Sequence, residues 1–318
     1  MFLESVKITS SAVFQIFLLG ILGYFLVKKN ILGSDGLNSL SRLVIEITLP
    51  VLIFCQLVKD FSFTLYPDWW LFPLISIAIT LAGLVIGALF MGLIRGAQHK
   101  MQFLSLVAFQ NSGYLPLVMV AALLPKDKTD VMFIYLFLFL LGFNLVMWSL
   151  GVYMLCFHEK KKFELASLFS PPVVATLLSL ALVFLGLNKL MPDIVLKPLR
   201  MVGDSTLPLA MFVVGGNLAE IHLGHVDTKA IFLVILTKLI ILPLLGLALI
   251  IKFGLPELMG LLILIQLAMP SATSLSVITR HYKKEDLLIS QGIFFSHIAG
   301  ILSIPIFLSL YFMRVMIK

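Results

Sequence analysis

Charge is scarce in this sequence. Of 318 residues, 12% are Asp, Glu, Lys or Arg against 60% apolar, and mean hydropathy is +1.10. Too little polar surface remains to wrap a water-soluble domain, so residues 1–318 read as a single integral membrane domain. Cysteine is nearly missing as well. Cys55 and Cys156 lie in or at the edge of apolar runs and read as packing residues, which excludes a disulfide framework. No Gly-rich loop leads into Lys and Ser/Thr, which removes ATP-driven work by this chain alone. No His/Cys/carboxylate cluster has metal-ligand spacing and no nucleophile–base pair stands out, so no metal, no cofactor and no enzyme activity are expected. The net charge of +7 is scattered between apolar runs rather than gathered in a patch, which argues against nucleic acid as a partner. The first apolar run, 8–27, lacks a small-residue cleavage site and ends at Lys28-Lys29, as a retained helix does.

What is present is a series of apolar runs, each about long enough to cross a bilayer as a helix. Ten spans are read: 9–27, 37–58, 69–94, 101–124, 131–157, 171–187, 198–219, 228–252, 257–279 and 287–313. The connections carry most of the charge, above all 158–164 between spans five and six. Tyr66, Trp69 and Trp70 read as an interfacial belt.

Two of these spans contradict themselves. Span four holds FQNSGYLPLV at 109–118, with Gln110, Asn111, Ser112, Gly113, Tyr114 and Pro116 in its centre. Span nine does the same with Met269, Pro270, Ser271, Thr273 and Ser274. Proline removes an N–H and clashes with the preceding turn, so both helices are expected to unwind there. Broken backbone at membrane depth is tolerable only inside protein or beside a water-filled cavity. Two such breaks in corresponding halves point to the substrate site of a secondary transporter.

The halves do correspond. Arg42, Val44, Glu46, Thr48, Leu49 and Pro50 return as Arg200, Val202, Asp204, Thr206, Leu207 and Pro208, an offset of 158 residues. The same offset sets Ser112 on Pro270, so the two breaks coincide. Repeat one is then 1–158 and repeat two 159–318. Each holds five spans, an odd number, so the second enters the membrane from the opposite side. The fold expected is all-α, in a five-plus-five inverted repeat with spans four and nine crossing at their breaks. Lys and Arg number twelve on the side of loop 158–164 and ten on the other. The positive-inside rule then puts that loop in the cytoplasm and both termini outside, on the periplasmic face of an inner membrane.

Ten spans, the repeat, and breaks at Asn111-Ser112-Gly113…Pro116 and Pro270-Ser271-Ala272 resemble the auxin efflux carrier family in its bacterial branch. Residues 266–305 resemble that family's last two helices. The resemblance implies a fold like that of bile-acid and sodium/proton transporters, with a scaffold (9–58 and 171–219) and a mobile transport part (69–157 and 228–313). It implies elevator-type movement of a small organic anion, malate or malonate in bacterial members and auxin in plants. It also makes spans two and seven the natural contact of a homodimer. By position it carries over Asn111 at the first crossover and Pro116 and Pro270 at the breaks. Where many relatives have an amide after the second proline, this sequence has Thr273 and Ser274.

A broken helix presents a half-helix N-terminus with free N–H groups and partial positive charge, and two facing each other suit a carboxylate. Asn111, Ser112, Ser271, Thr273 and Ser274 can add neutral hydrogen bonds, or can merely satisfy the interrupted backbone. Lys238, deep in span eight, either serves the crossing in place of a coupling cation, attracts the anion, or pairs with Asp204 or Glu46. Arg42 with Glu46 and Arg200 with Asp204 are spaced for ion pairs on one helix face, with a proton relay through either carboxylate as the rival role. Asn144, His297, Gln266 and Gln291 are further cavity candidates, and His297 can titrate near neutrality. A proton or sodium ion is the coupling partner considered. A channel or membrane sensor built on the same crossed helices is the alternative function.

Overall fold

The computed structural model describes residues 2–155, 168–221, 224, 226–281 and 287–316. Cys156, loop 158–164 and the last residues of the expected fifth span lie outside the described residues. Within them the chain is helical: α1 (Phe2–Lys28), α2 (Ser34–Asp60), α3 (Leu71–Met91), α4 (Ala97–Ala108), α5 (Tyr114–Leu123), α6 (Lys126–Leu155), α7 (Pro171–Phe184), α8 (Asp193–Asp204), α9 (Thr206–Ala219), α10 (Thr228–Phe253), α11 (Glu257–Ala268), α12 (Ser274–His281) and α13 (Leu287–Tyr311). Six helices are long and apolar enough to cross a membrane: α1, α2, α3, α6, α10 and α13. Three shorter ones, α5, α7 and α11, are apolar. The span expected at 198–219 is longer and divided, starting at Asp193 and stepping at Ser205 between α8 and α9.

Proline explains two of the π turns and the step at Ser205. It has no N–H to give the preceding turn, and a widened turn absorbs the mismatch. In α2 a π turn at Val44–Thr48 comes just before Pro50, and in α10 one at Leu236–Ile241 comes just before Pro243. The step at Ser205 precedes Pro208 in the same way. Thus Pro50 and Pro208, which share the repeated motif, each follow a local distortion.

The helices pack as two sets. In one, α1 lies along α9, and α2 lies against α7 and α8. In the other, α3 packs on α4 and α6, α10 on α11 and α13, and α4 on α13. Small residues let helix backbones touch where no hydrophobic effect drives helices together. A Cβ on Gly215 would strike the Gly20 carbonyl, one on Gly23 the Phe212 backbone, and one on Gly203 would stand 2.9 Å from Leu52 Cα, all within the first set. In the second set a Cβ on Gly83 would lie 2.8 Å from Ala108 Cα, and one on Gly142 would strike the Pro73 carbonyl. Each of these seams joins members of one set. Between the sets, α1 meets α5 and α13, α9 meets α5, and α2 and α7 meet α6. Phe14, Leu22, Leu81, Leu89, Leu244 and Leu302 point outward, as residues facing acyl chains do.

The aromatic belt turns partly inward. Tyr66 stacks on Phe61 and meets Tyr135 edge-on, and Trp69 meets Phe63, whereas Trp70 is half exposed.

Gly215→Ala and Gly23→Ala are each expected to destabilise the protein by about 1–3 kcal/mol through overpacking of the α1–α9 seam. Gly92→Ala, at a right-handed helical φ of −61° where a Cβ meets nothing within 4 Å, is the neutral control. Thermal denaturation of the detergent-solubilised protein reads the difference.

Candidate functional site

The two unwound segments meet. The α4 helix stops at Ala108, and Phe109 is extended (φ −100°, ψ 109°). The α11 helix stops at Ala268, and Met269 is extended (φ −69°, ψ 144°), the conformation forced on a residue before proline. The segments then run antiparallel, with Gln110 opposite Ser271. Asn111 N–H donates to the Pro270 carbonyl (2.8 Å) and Ala272 N–H to the Phe109 carbonyl (2.9 Å). Backbone groups released by each break are therefore satisfied by the other break. Side chains finish the job. Ser271 Oγ donates to the Leu106 carbonyl (2.8 Å), Ser271 N–H to Ser296 Oγ (3.2 Å), and Gln266 Nε2 to the Ser112 carbonyl (3.1 Å).

Beside this crossing lies a cavity of about 140 Å³. One wall is the crossing itself, Gln110 to Tyr114 and Ala272 to Ser274. The opposite wall comes from α6 (Phe143, Asn144, Met147, Trp148), with Ile45 and Leu49 of α2 and Pro172 of α7 closing it. The helices α5 and α12 begin at Tyr114 and Ser274, so their first turns face the cavity with the positive ends of their dipoles. Pro116 is the third residue of α5, where its missing N–H has no intrahelical partner to lose. Three buried polar atoms at this wall, Gln110 Nε2, Asn111 Nδ2 and Ser112 Oγ, have no hydrogen-bond partner among the described residues. An unpaired buried polar group costs about 1–3 kcal/mol, so this wall is poised to receive an acceptor.

The sequence candidates divide into three groups. Asn111, Ser112, Gly113, Tyr114, Thr273, Ser274 and Asn144 line the cavity. Met269, Pro270, Ser271, Pro116 and Gln266 lie at or behind the crossing and shape it without lining the cavity. His297 is fully buried on α13, with Nδ1 2.8 Å from the Ile293 carbonyl; Nε2 has no partner among the described residues. Gln291 is likewise buried on α13, away from the cavity lining.

Glu46 and Asp204 correct the expectation. Both are exposed on the outer faces of α2 and at the end of α8, away from the cavity. Arg42 does pair with Glu46 (Nε–Oε1 3.0 Å). Arg200 turns instead toward Asp130, with Nη2 4.0 Å from Oδ1. Lys238 pairs with neither carboxylate. It is 1% exposed in the π turn of α10, and its Nζ lies 3.5 Å from Gln110 Oε1. Gln110 thus has one face toward a buried amine and lines the cavity with the other. It belongs with the candidates, although the resemblance carries over only its neighbour Asn111. Apart from Asn144, the wall from Phe143 to Trp148 left no trace in the sequence, where it reads as ordinary span.

A family model described as "Membrane transport protein" matches residues 8–165 and 157–308. Among curated relatives, Protein PIN-LIKES 6 of Arabidopsis thaliana is 31% identical over 124 residues, 38% of this chain and 29% of that protein. Protein PIN-LIKES 7 of the same plant is 28% identical over 130 residues, 40% of this chain and 33% of that one. An uncharacterized transporter of Schizosaccharomyces pombe (strain 972 / ATCC 24843) is 28% identical over 115 residues, 36% of this chain and 25% of its own. The match therefore spans a third or less of each relative's length.

Lys238→Met keeps the volume and removes a buried amine that no carboxylate faces among the described residues. Its thermal stability is expected to hold or to rise, as when buried ionic groups give way to well-packed apolar ones. A fall of several degrees in the melting temperature would mean that Lys238 is a structural partner after all.

Proposed function

This chain belongs to the Membrane transport protein family, that of the auxin efflux carriers, and on that premise we propose that it is a secondary transporter for a small organic anion. The observation that carries this reading is the pairing of two half-helix N-termini with unpartnered amide and hydroxyl groups at one cavity. A carboxylate there would accept from Asn111 Nδ2 and Ser112 Oγ and lie in the dipole field of α5 and α12. Lys238, behind Gln110, adds positive potential without touching the cargo. Asn144, Ser170, Thr273 and Ser274 add neutral polar groups to an otherwise apolar and aromatic wall, and none of the described lining residues is Lys or Arg. A second carboxylate would find no cation, so the cargo is a monocarboxylate with a small apolar body. The volume agrees, being well below the ~300 Å³ at which drug-sized pockets begin.

Ten membrane passes in an inverted repeat complete this reading. The four beyond the six long helices are α4 with α5, α7, α8 with α9, and α11 with α12. Supporting it, the packing partners come in exchanged pairs: α1 on α9 matches α7 on α2, α3 on α6 matches α10 on α13, and α4 on α13 matches α11 on α6. The first set of helices is the scaffold and the second the part that moves, since glycine seams knit each set internally. The cavity lies toward the end of the molecule that holds Trp148 and Pro172. By the excess of Lys and Arg on that side it is the cytoplasmic end, with both termini outside. Spans two and seven, with exposed Arg42, Glu46 and Asp204 at membrane depth, supply the homodimer contact. A proton or sodium gradient drives the cycle.

Uptake into proteoliposomes tests this directly, with labelled benzoate as the monocarboxylate and succinate as the dicarboxylate. Benzoate is expected to enter and succinate to be poor. Asn111→Ala should lower benzoate uptake about tenfold or more, the worth of one hydrogen bond to a charged group, with the folded peak on size exclusion retained. Full activity in that variant would remove the site, and steady single-channel currents would favour a channel.

A further inference from the structure

At the end of the molecule away from the cavity, a second polar cluster bridges the two helix sets. Gln56 of α2, 2% exposed, donates through Nε2 to Asp60 Oδ2 (2.7 Å) and to Asp130 Oδ1 (3.3 Å). Arg200 of α8 approaches the same Asp130 oxygen at 4.0 Å. Gln56, Asp60 and Arg200 belong to the α1, α2, α7–α9 set, whereas Asp130 lies in the first turns of α6, in the other. Thr9 of α1 and Ser309 of α13 make a second polar bridge between the sets (Oγ1–Oγ 2.7 Å), with Thr9 also donating to the Pro305 carbonyl (3.3 Å). Tyr66 and Tyr135 meet edge-on beside the cluster.

The cluster and the cavity share a helix face. Leu49, Ile53 and Gln56 recur at four- and three-residue spacing along α2, so they line one stripe. Leu49 lines the cavity, Gln56 holds Asp130, and Ile53 between them is fully buried. Seven residues of helix separate the ends of the stripe by about 10 Å. The polar bridge therefore stands over the short route from the cavity to the far side of the membrane.

Within each set a polar pair also occurs, Lys128 with Glu257 between α6 and α11 (Nζ–Oε1 2.7 Å), but the closest backbone contacts are of another kind. There, glycines bring backbones together and nothing can separate without opening a packed seam. A carboxylate held by an amide and a guanidinium can be exchanged for water without disturbing either helix. We propose that Asp130 is the latch of the far mouth: carried by the moving set, its carboxylate is held by Gln56 and Arg200 of the fixed set while the site faces the near side, and releases both when the site turns outward. This rests on the two-part reading above. It adds to it which residues hold this state.

The test uses the full chain with Cys55→Ala and Cys156→Ser, carrying Ile53→Cys as a reporter. A membrane-impermeant maleimide is applied from the far side. Asp130→Ala should speed labelling of the reporter about tenfold, a shift of one decade in the closed-to-open ratio, and Arg200→Ala should speed it less. A melting temperature close to that of the parent shows that the variants are folded. Unchanged labelling in folded Asp130→Ala overturns the latch. A second arm replaces Gln56 and Asp130 by cysteine and oxidises the pair. Cross-linking should stop benzoate uptake, reversibly on reduction, while benzoate still raises the melting temperature from the near side. Uptake that persists in the cross-linked protein also overturns the latch. Loss of benzoate protection in the uncross-linked parent would sink the carboxylate site instead and leave the labelling result standing.

Discussion

Two backbone hydrogen bonds hold this structure's purpose in place. At membrane depth no solvent can satisfy an amide released from a helix, so a span can break only if something else takes its N–H and C=O groups. Here that something is the other break. Asn111 and Ala272 donate across to Pro270 and Phe109, and neither unwound segment would be tolerable without its counterpart. The crossing is thus a mutual requirement. It fixes where the half-helix N-termini stand, and from them follow the electrostatics of the cavity wall.

Polar residues around the crossing do two different jobs, and adjacency in sequence does not separate them. Ser271 is spent on the Leu106 carbonyl and Gln266 on the Ser112 carbonyl, so both are stitches. Asn111 and Ser112, on the facing segment, keep side-chain atoms unpartnered beside the cavity. Lys238 stands apart from both groups. It is buried with only a neutral amide oxygen, Gln110 Oε1, within hydrogen-bond reach.

The two kinds of helix contact have a mechanical meaning. Glycine seams such as Gly215 on Gly20 and Gly142 on Pro73 bring backbones into direct contact within each set, where close packing leaves no slack. Contacts between the sets include exchangeable polar bridges such as Asp130 with Gln56. The polar groups of the crossing stand on one set, while Ile45 and Leu49 of α2 and Pro172 of α7, from the other, close the cavity against them.

Sequence alone settled the features that depend on local chemistry. Proline and glycine at 113–116 and 270 dictate the breaks and apolar length dictates the long spans, since each is a property of neighbouring residues. Even the Arg42–Glu46 pair was legible, because four residues of helix bring those side chains together whatever surrounds them. The partner of Arg200 was not legible. The same spacing to Asp204 was available, yet Asp130, 70 residues away, lies within reach. Nor was the exposure of Glu46 and Asp204, the apolar wall of Phe143 and Trp148, or the place of Gln110 between Lys238 and the cavity. Those are decided by which helix faces meet in three dimensions, and a side chain's neighbour across a packed interface leaves no periodic mark on its own segment.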